Sequence, residues 1–301
     1  MDIELFAEGV AFPEGPVVMN DGSVLVVEIR GGTLSRLLPG GKIEVVAKLG
    51  GGPNGAAIGP DGAAYVCNNG GFQWDENGNS NGFPPPGYTG GSIQRVDLRS
   101  GAFTTLYTEC DGERLVGPND LVFDSHGGMY FSDHGKGTPD AHLYGGLYYC
   151  LPDGSKIVRL RRRLLSPNGV GLSPDERVLY MADTYTGRLW AFDILSPGKI
   201  APSGSPWAAG RVVCTLPGYQ LLDSLAVEAG GKICVATIFN GGVTAFDPDG
   251  TTEHFPFPDM VTTNIAFGGA DMRDAYVTCS STGKVYKCRW PRPGLKLAFN
   301  A

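Results

Sequence analysis

Charged residues, histidines and long apolar runs are all scarce in this sequence. Of its 301 residues 18% are charged and four are histidine, and no apolar stretch approaches the roughly 20 residues that a membrane-spanning helix needs. The net charge of −7 disfavours nucleic acid or an anionic membrane as a partner. The opening residues, MDIELFAEGV, lack the charged, apolar and small-residue order of a secretory signal, so we expect a cytoplasmic protein.

Paired cysteines and helical patterns are also missing. The seven cysteines are widely spaced without a Cys-x-x-Cys pair, which predicts neither a disulfide framework nor a zinc site and agrees with a reducing compartment. Glycine (46 residues) and proline (22) are abundant, as is typical of short strands joined by tight turns. The basic run at 159–163 (RLRRR) is expected on an outer strand, where charge discourages edge-to-edge pairing.

A repeat runs along the chain: a polar residue, a short apolar stretch, a turn with glycine or aspartate, and a second apolar strand. A glycine-containing turn and a third strand follow each copy, and a fourth strand fits most copies, for example KIEVVAKL after the first. The six copies are PEGPVVMNDGSVLVVE from Pro13, PNGAAIGPDGAAYVCN from Pro53, PNDLVFDSHGGMYFSD from Pro118, PNGVGLSPDERVLYMAD from Pro167, LDSLAVEAGGKICVAT from Leu222 and TNIAFGGADMRDAYVTC from Thr263.

Six copies of a four-stranded antiparallel unit predict an all-β, six-bladed β-propeller, with residues 1–301 as a single domain. The last copy lacks an obvious fourth strand. Residues 3–8 (IELFAE) could supply it and close the ring, and the C-terminal LKLAF is the alternative. Because the second strand runs back antiparallel to the first, the start of one and the end of the other should share one face.

The first polar residue of each copy is expected to point toward the central channel. All six carry a side-chain oxygen, which suits a hard cation, calcium first and magnesium or manganese next. No histidine or cysteine enters this ring, which disfavours zinc or copper. Asparagine and aspartate also form turns, so a purely structural role is the alternative. The six ring residues are Glu14, Asn54, Asn119, Asn168, Asp223 and Asn264.

The chain resembles the regucalcin, gluconolactonase and luciferin-regenerating enzyme family of lactonases over nearly its whole length. The most similar stretches are FPEGPV at 12, GPNDLVFDSHGGMYFSD at 117, SPNGVGLSPDERVLYMADTYTGRLWAFD at 166 and LLDSLAVEAGGKICVATIFNGGV at 221. The resemblance implies a six-bladed propeller that hydrolyses a small hydroxylated or sugar-acid lactone with one divalent metal ion. Calcium is the first expectation for that ion, with magnesium, manganese, zinc and ferrous iron as alternatives.

By the same resemblance, Glu14, Asn168 and Asp223 match the direct metal ligands of the family. Asn119 matches an asparagine that contacts the substrate or the metal. Asp223 is our candidate for the general base, and Asn119 would orient the substrate or help to hold the tetrahedral intermediate. The family often has arginine where this chain has Gly117. Because that arginine helps to hold a sugar acid, its absence leaves the identity of the lactone substrate undetermined.

Asn54 and Asn264 lie outside the usual ligand set and are candidates for supporting or substrate contacts. Loops that follow the second strands should rim the pocket and contribute Arg30, His134, Asp183 and Tyr185. His134 is an alternative base or a hydrogen-bonding residue of the rim. The long polar segment 70–91 is either a lid over the pocket or disordered.

Two other functions fit the same residues. One is hydrolysis of a phosphotriester or aryl ester at the same metal, which a more apolar pocket would favour. The other is a non-catalytic, calcium-binding propeller, which a cation fully enclosed by protein oxygens would favour. GNSNG at 78–82 matches Gly-x-Ser-x-Gly, but it lies in the polar segment 70–91 and not at a strand-to-helix turn, so a serine hydrolase has little support.

Overall fold

Six four-stranded antiparallel sheets form the blades of a propeller in the computed structural model, which describes residues 1–299. Within this part of the chain there is no α-helix, and so none that could span a membrane. From the innermost strand outward, blade 1 is Pro13–Val18, Val24–Glu28, Thr33–Leu37 and Ile43–Lys48; blade 2 is Pro53–Ile58, Ala64–Asn68, Ser92–Val96 and Phe103–Tyr107; blade 3 is Pro118–Phe123, Met129–Asp133, Gly145–Cys150 and Ile157–Leu164.

The other three blades follow the same plan. Two short hairpins, Glu109–Cys110 with Glu113–Arg114 and Lys136–Gly137 with His142–Leu143, project from blades 2 and 3. Blade 4 is Pro167–Leu172, Val178–Asp183, Arg188–Ser196 and Arg211–Thr215, with Lys199–Ile200 added; blade 5 is Leu221–Val227, Ile233–Ile238, Gly242–Phe246 and Thr252–Pro256; blade 6 is Thr262–Gly268, Asp274–Cys279, Lys284–Arg289 and Ile3–Glu8.

The predicted six-bladed propeller is therefore confirmed. The pairing of the N-terminal strand shows which strand completes the last blade. Ile3–Glu8 pairs antiparallel with Lys284–Arg289, so the N-terminal strand closes blade 6. The alternative, the C-terminal LKLAF, was wrong: Leu295, Leu297 and Phe299 lie instead against the inner strands at one end of the central channel. The basic run lies on the outer strand Ile157–Leu164, as expected.

The innermost strands share an irregularity that the repeat did not predict. In each blade the pairing of the first and second strands shifts register close to the first polar residue, as between Pro118 and Leu121 or between Pro167 and Val170. A bulge of this kind re-aims a side chain and frees backbone N–H groups from the ladder. The sequence therefore places the ring residues, and the bulges determine where they point.

Apolar residues pack between neighbouring blades rather than into one central core. The cluster between blades 2 and 3, for example, contains Tyr65, Phe123 and Phe131. Small residues line the close approach between inner strands. A Cβ on Gly55 would lie 2.5 Å from the backbone oxygen of Asn119, and one on Gly169 would lie 2.5 Å from the backbone nitrogen of Leu225. Glycine at these positions lets the strands that carry the ring converge.

Candidate metal and active site

All six predicted ring residues lie at the start of the innermost strands, on one face of the propeller, and all are at least 92% buried. The register confirms the expected sharing of a face, because Pro13 pairs with Glu28 and Pro167 pairs with Asp183. Two carboxylates and four amides thus meet at one end of the channel. Whether they bind a metal ion depends on their hydrogen bonds.

Glu14 and Asp223 are carboxylates buried close enough to interact. Burial first, and then the charge of Asp223, raise the pKa of Glu14 well above its usual value. Burial likewise raises the pKa of Asp223. Two buried carboxylates that disfavour each other's charge form an environment that a cation would stabilise.

Two buried oxygens of the ring have no hydrogen-bond partner among residues 1–299. They are Oε1 of Glu14 and Oδ1 of Asn119. The other oxygen of Glu14, Oε2, accepts hydrogen bonds from the Gly15 backbone N–H (2.7 Å) and from Asn264 Nδ2 (2.8 Å). Because buried polar atoms are nearly always paired, these two oxygens need a ligand that supplies positive charge or a proton, and a hard cation fits.

Asn264 and Asn168 differ in the residue that each amide nitrogen holds. Asn264 accepts from the Ile265 N–H through Oδ1 (2.8 Å) and donates to Glu14, so its amide is used in holding Glu14. Asn168 donates from Nδ2 to Thr184 (3.0 Å) and accepts from Ser224 at 3.2 Å, with one further lone pair on Oδ1. Each Oδ1 therefore keeps one lone pair, and the two residues differ in their donors: Asn264 Nδ2 holds Glu14, whereas Asn168 Nδ2 holds Thr184.

Asp120, the residue after Asn119, is a buried carboxylate that the sequence reasoning missed. Its Oδ1 accepts from the Leu121 N–H (2.9 Å) and its Oδ2 from the Val170 N–H (3.2 Å), two donors that the bulges release. Burial raises the pKa of Asp120 to about 7. It faces the channel below the ring and ties blade 3 to blade 4.

Two of the four predicted rim residues, Arg30 and Asp183, make contacts that support the fold. Arg30 is exposed and its guanidinium lies against Gly78 in the segment 70–91. Asp183 is buried and accepts a 2.6 Å hydrogen bond from the Ser166 hydroxyl, which closes the end of the blade 4 hairpin. Neither makes a contact with the ring carboxylates in the described chain.

His134 and Tyr185 lie together at the rim. Their rings meet edge to face at 5.4 Å, and Tyr185 is half exposed. Burial, helped by the charges of Lys136 and His142, lowers the pKa of His134 to about 3. The neighbouring Asp133 carboxylate accepts from three backbone N–H groups rather than from the imidazole. His134 is thus a neutral rim residue and a poor proton acceptor near neutral pH.

The segment 70–91 leaves blade 2 and contacts residues that precede blades 1 and 3. It contains an internal bridge between Trp74 and Ser80, and Trp74 packs edge to face on Phe12 at 5.1 Å. On the other side the Tyr88 hydroxyl donates to the backbone oxygen of Val116. A role as a lid stays a prediction.

Lys136 is a second residue that the sequence reasoning missed. Its side chain is buried, with Nζ 3.4 Å from the centre of the Phe72 ring and 2.8 Å from the backbone oxygen of Gly71. It also donates to Asn69 Oδ1 at 3.2 Å. A lone lysine in a glycine-rich hairpin carries no sequence pattern that would have revealed this burial.

The chain belongs to the family described as SMP-30/Gluconolactonase/LRE-like region, whose model matches residues 12–281. It is 30% identical to a protein named lactonase drp35 from Staphylococcus saprophyticus over 253 residues, which are 83% of this chain and 70% of that protein. It is 26% identical to a gluconolactonase from Zymomonas mobilis over 272 residues, 82% of this chain and 70% of that one. The predicted family is confirmed, and these relatives support the predicted class of enzyme, a hydrolase of lactone ester bonds.

A solved structure with the same fold is a calcium-binding protein, regucalcin, from Agrobacterium tumefaciens. It superposes with a TM-score of 0.71 at 20% identity and covers 98% of each chain. At this identity the likeness concerns the fold.

Proposed function

We propose that this protein hydrolyses a small lactone to its hydroxy acid, with one divalent cation, calcium in the first place, held by Glu14, Asn168, Asp223 and Asn119. The observation that carries the proposal is the pair of buried, unpartnered oxygens, Glu14 Oε1 and Asn119 Oδ1, beside a second buried carboxylate. No three histidine, cysteine, aspartate or glutamate side chains form a metal cluster within residues 1–299, so a cation here takes amide oxygens as well. Such a donor set favours calcium over zinc.

The chemistry that the cation supplies when bound is polarisation of the lactone carbonyl and stabilisation of the negative charge that develops on the carbonyl oxygen. The protein's own groups position the water and move its proton. As the water oxygen bonds to the carbonyl carbon, the Asp223 carboxylate takes the proton from it. The ring C–O bond then breaks and the proton passes from Asp223 to the departing alkoxide, which gives an alcohol and a carboxylic acid on one molecule. The carboxylic acid releases its proton to the solvent and becomes a carboxylate.

Each remaining ring residue has a defined part in this scheme. Asn264 holds Glu14 through the 2.8 Å hydrogen bond, and Ser224 and Thr184 hold the amide of Asn168. Asn119 Oδ1 has no hydrogen-bond partner among residues 1–299, and this residue would orient the substrate or share the cation. Because these partners are buried and paired, the site is preorganised before the substrate enters.

The test begins with metal-free protein and an assay of lactone ring opening by acid release. The panel contains gluconolactone, pentonolactones and unsubstituted butyrolactone, and calcium, magnesium, manganese, zinc and ferrous ions are added back separately. Calcium-restored turnover that Glu14→Gln and Asp223→Ala both abolish is the expected result.

Glu44→Gln is the matched control, because Glu44 is an exposed glutamate on the outer strand of blade 1. It should leave turnover and metal dependence unchanged. Tight calcium binding without turnover of any lactone would overturn the enzymatic proposal and favour a non-catalytic calcium propeller.

We also infer that the protein works in the cytoplasm, with a small molecule as its partner. All seven cysteines are free thiols and six of them are buried, which suits a reducing compartment. Fractionation of the source cells with an antibody would test the location, and recovery in a secreted fraction would overturn it.

A further inference from the structure

The amide of Asn54 has a hydrogen-bonding direction that differs from the other ring amides. Asn54 Oδ1 accepts a 2.7 Å hydrogen bond from Asn69 Nδ2, and both side chains are buried. Among residues 1–299, Asn69 is the only side chain hydrogen-bonded to this amide. The oxygen of Asn54 is therefore turned away from the ring.

Two donors establish the orientation of Asn69 without ambiguity. Its Oδ1 accepts from Lys136 Nζ at 3.2 Å and from the Gly71 backbone N–H at 2.8 Å. An ammonium and a backbone N–H can only donate, so the atom that faces them is the oxygen. The nitrogen of Asn69 then faces Asn54, and the nitrogen of Asn54 faces the opposite way.

The blades on either side of Asn54 carry the two unpartnered oxygens of the ring. Glu14 precedes it on blade 1 and Asn119 follows it on blade 3. Calcium and magnesium take oxygen ligands, so an amide that presents its N–H₂ group beside them does not bind the cation. An N–H₂ group next to a cation can instead donate to an anionic or carbonyl oxygen that the cation also attracts.

We propose that Asn54 is a hydrogen-bond donor to the carbonyl oxygen of the bound lactone and not a metal ligand, with Asn69 as its positioning residue. This inference rests on the proposed function. Lys136 and Gly71 anchor Asn69 from blade 3 and from the segment 70–91, so the position of that segment also sets the orientation of the donor.

Asn54→Leu tests the donor, with calcium affinity from calorimetry measured separately from turnover. We expect kcat to fall about 10²-fold, as for loss of one donor to a developing oxyanion, and the calcium Kd to change less than about threefold. Asn168→Leu is the matched variant of a proposed ligand, and its calcium Kd should rise at least about tenfold.

Asn69→Asp tests the positioning role without changing the volume. An aspartate still accepts from Lys136 and Gly71, but it has no N–H to donate to Asn54, so the Asn54 amide must turn its nitrogen toward it. We expect kcat to fall nearly as far as in Asn54→Leu with a small change in KM, while the melting temperature stays near that of the wild type. A purely structural role for Asn69 would leave kcat unchanged.

The outcomes separate this inference from the proposed function. An active wild type whose Asn54→Leu variant keeps full kcat, or loses calcium as Asn168→Leu does, overturns the donor role alone. A wild type that binds calcium but opens no lactone overturns both.

Discussion

The two ends of the central channel are built from the same six strands and have opposite chemistry. At one end six buried polar residues converge, and two of their oxygens lack a hydrogen-bond partner within the described residues 1–299. Toward the other end Val18, Leu172 and Phe267 line a mainly apolar cavity of about 110 Å³ that reaches up to Asp120 and Asn264, and Leu295 and Leu297 of the C-terminal segment lie against it. The first polar residue and the apolar lining are only a few positions apart on each strand.

The difference shows how a propeller separates function from stability. The bulge near each ring residue aims one side chain at the axis and frees N–H groups, which then bind oxygens of Glu14, Asp120 and Asn264. Beyond the bulge the ladder is regular, and the side chains fill space. Changes at the polar end should therefore affect chemistry, and changes at the apolar end should affect stability alone.

The largest effect is expected for Asp223→Asn at the polar end. Turnover should fall by about 10³-fold because the base is lost, and calcium should no longer raise the melting temperature. Without metal the variant should melt about 2–4 °C higher than the wild type, since Glu14 loses a repelling neighbour. Calorimetric scans with and without calcium check both statements.

Asp249→Asn, at an exposed turn of blade 5, is the control and should behave as the wild type. A calcium-stabilised Asp223→Asn protein would contradict the ligand role of Asp223.

Leu172→Ala at the apolar end should destabilise the fold by about 2–5 kcal/mol through lost burial and a larger cavity. Calcium affinity and kcat should stay within about twofold, because the ring is untouched. Urea denaturation measures the first and calorimetry the second. Leu195→Ala in the same blade removes an exposed leucine and should cost less than about 0.5 kcal/mol. Equal losses in both variants would argue against the cavity as the cause.

Without metal, stability should decline as the pH rises from about 4 to about 7. Burial raises the pKa of Asp120 to about 7 and raises that of Asp223 in the same direction. An acid with a higher pKa in the fold than in the unfolded chain contributes most below its unfolded pKa and loses that contribution as the pH passes its folded pKa.

We expect the melting temperature in a chelator to be about 5 °C lower at pH 8 than at pH 5, and calcium to abolish the decline. A metal-free protein that becomes more stable from pH 5 to pH 8 would contradict the raised pKa values of Asp120 and Asp223.

The smallest effect concerns the rim, where His134 is held neutral. The pKa of His134 is lowered to about 3 in the fold, whereas it is near 6.5 in the unfolded chain. Its contribution to the free energy of unfolding is therefore complete above about pH 6.5 and is lost as the pH falls below that value. On going from pH 8 to pH 5, the change in the free energy of unfolding should be less favourable in the wild type than in His134→Gln by up to about 2 kcal/mol. Urea midpoints at both pH values measure this. His126→Gln, at an exposed histidine, should leave the pH dependence as in the wild type.

Much of the architecture could be predicted, because each repeat carries its own turn and strand pattern. The copies from Pro13 and Pro167 predicted both the blades and the positions of Glu14 and Asn168. Asp120 and Lys136 could not be found in this way, since their burial depends on neighbours in other blades. The choice between Ile3–Glu8 and the C-terminal segment also depended on long-range contacts that a local pattern does not contain.

The sequence by itself determined the six repeats and the oxygen-bearing residue at the head of each, because alternating apolar strands and glycine turns are local properties. Only the tertiary structure decided which oxygens are free. Asn54, Asn119, Asn168 and Asn264 share one residue type and one position in the repeat, yet each has a different set of hydrogen bonds. Some of those hydrogen bonds join adjacent blades, as Asn264 joins Glu14 and Ser224 joins Asn168, and these exist only once the strands of the ring have come together.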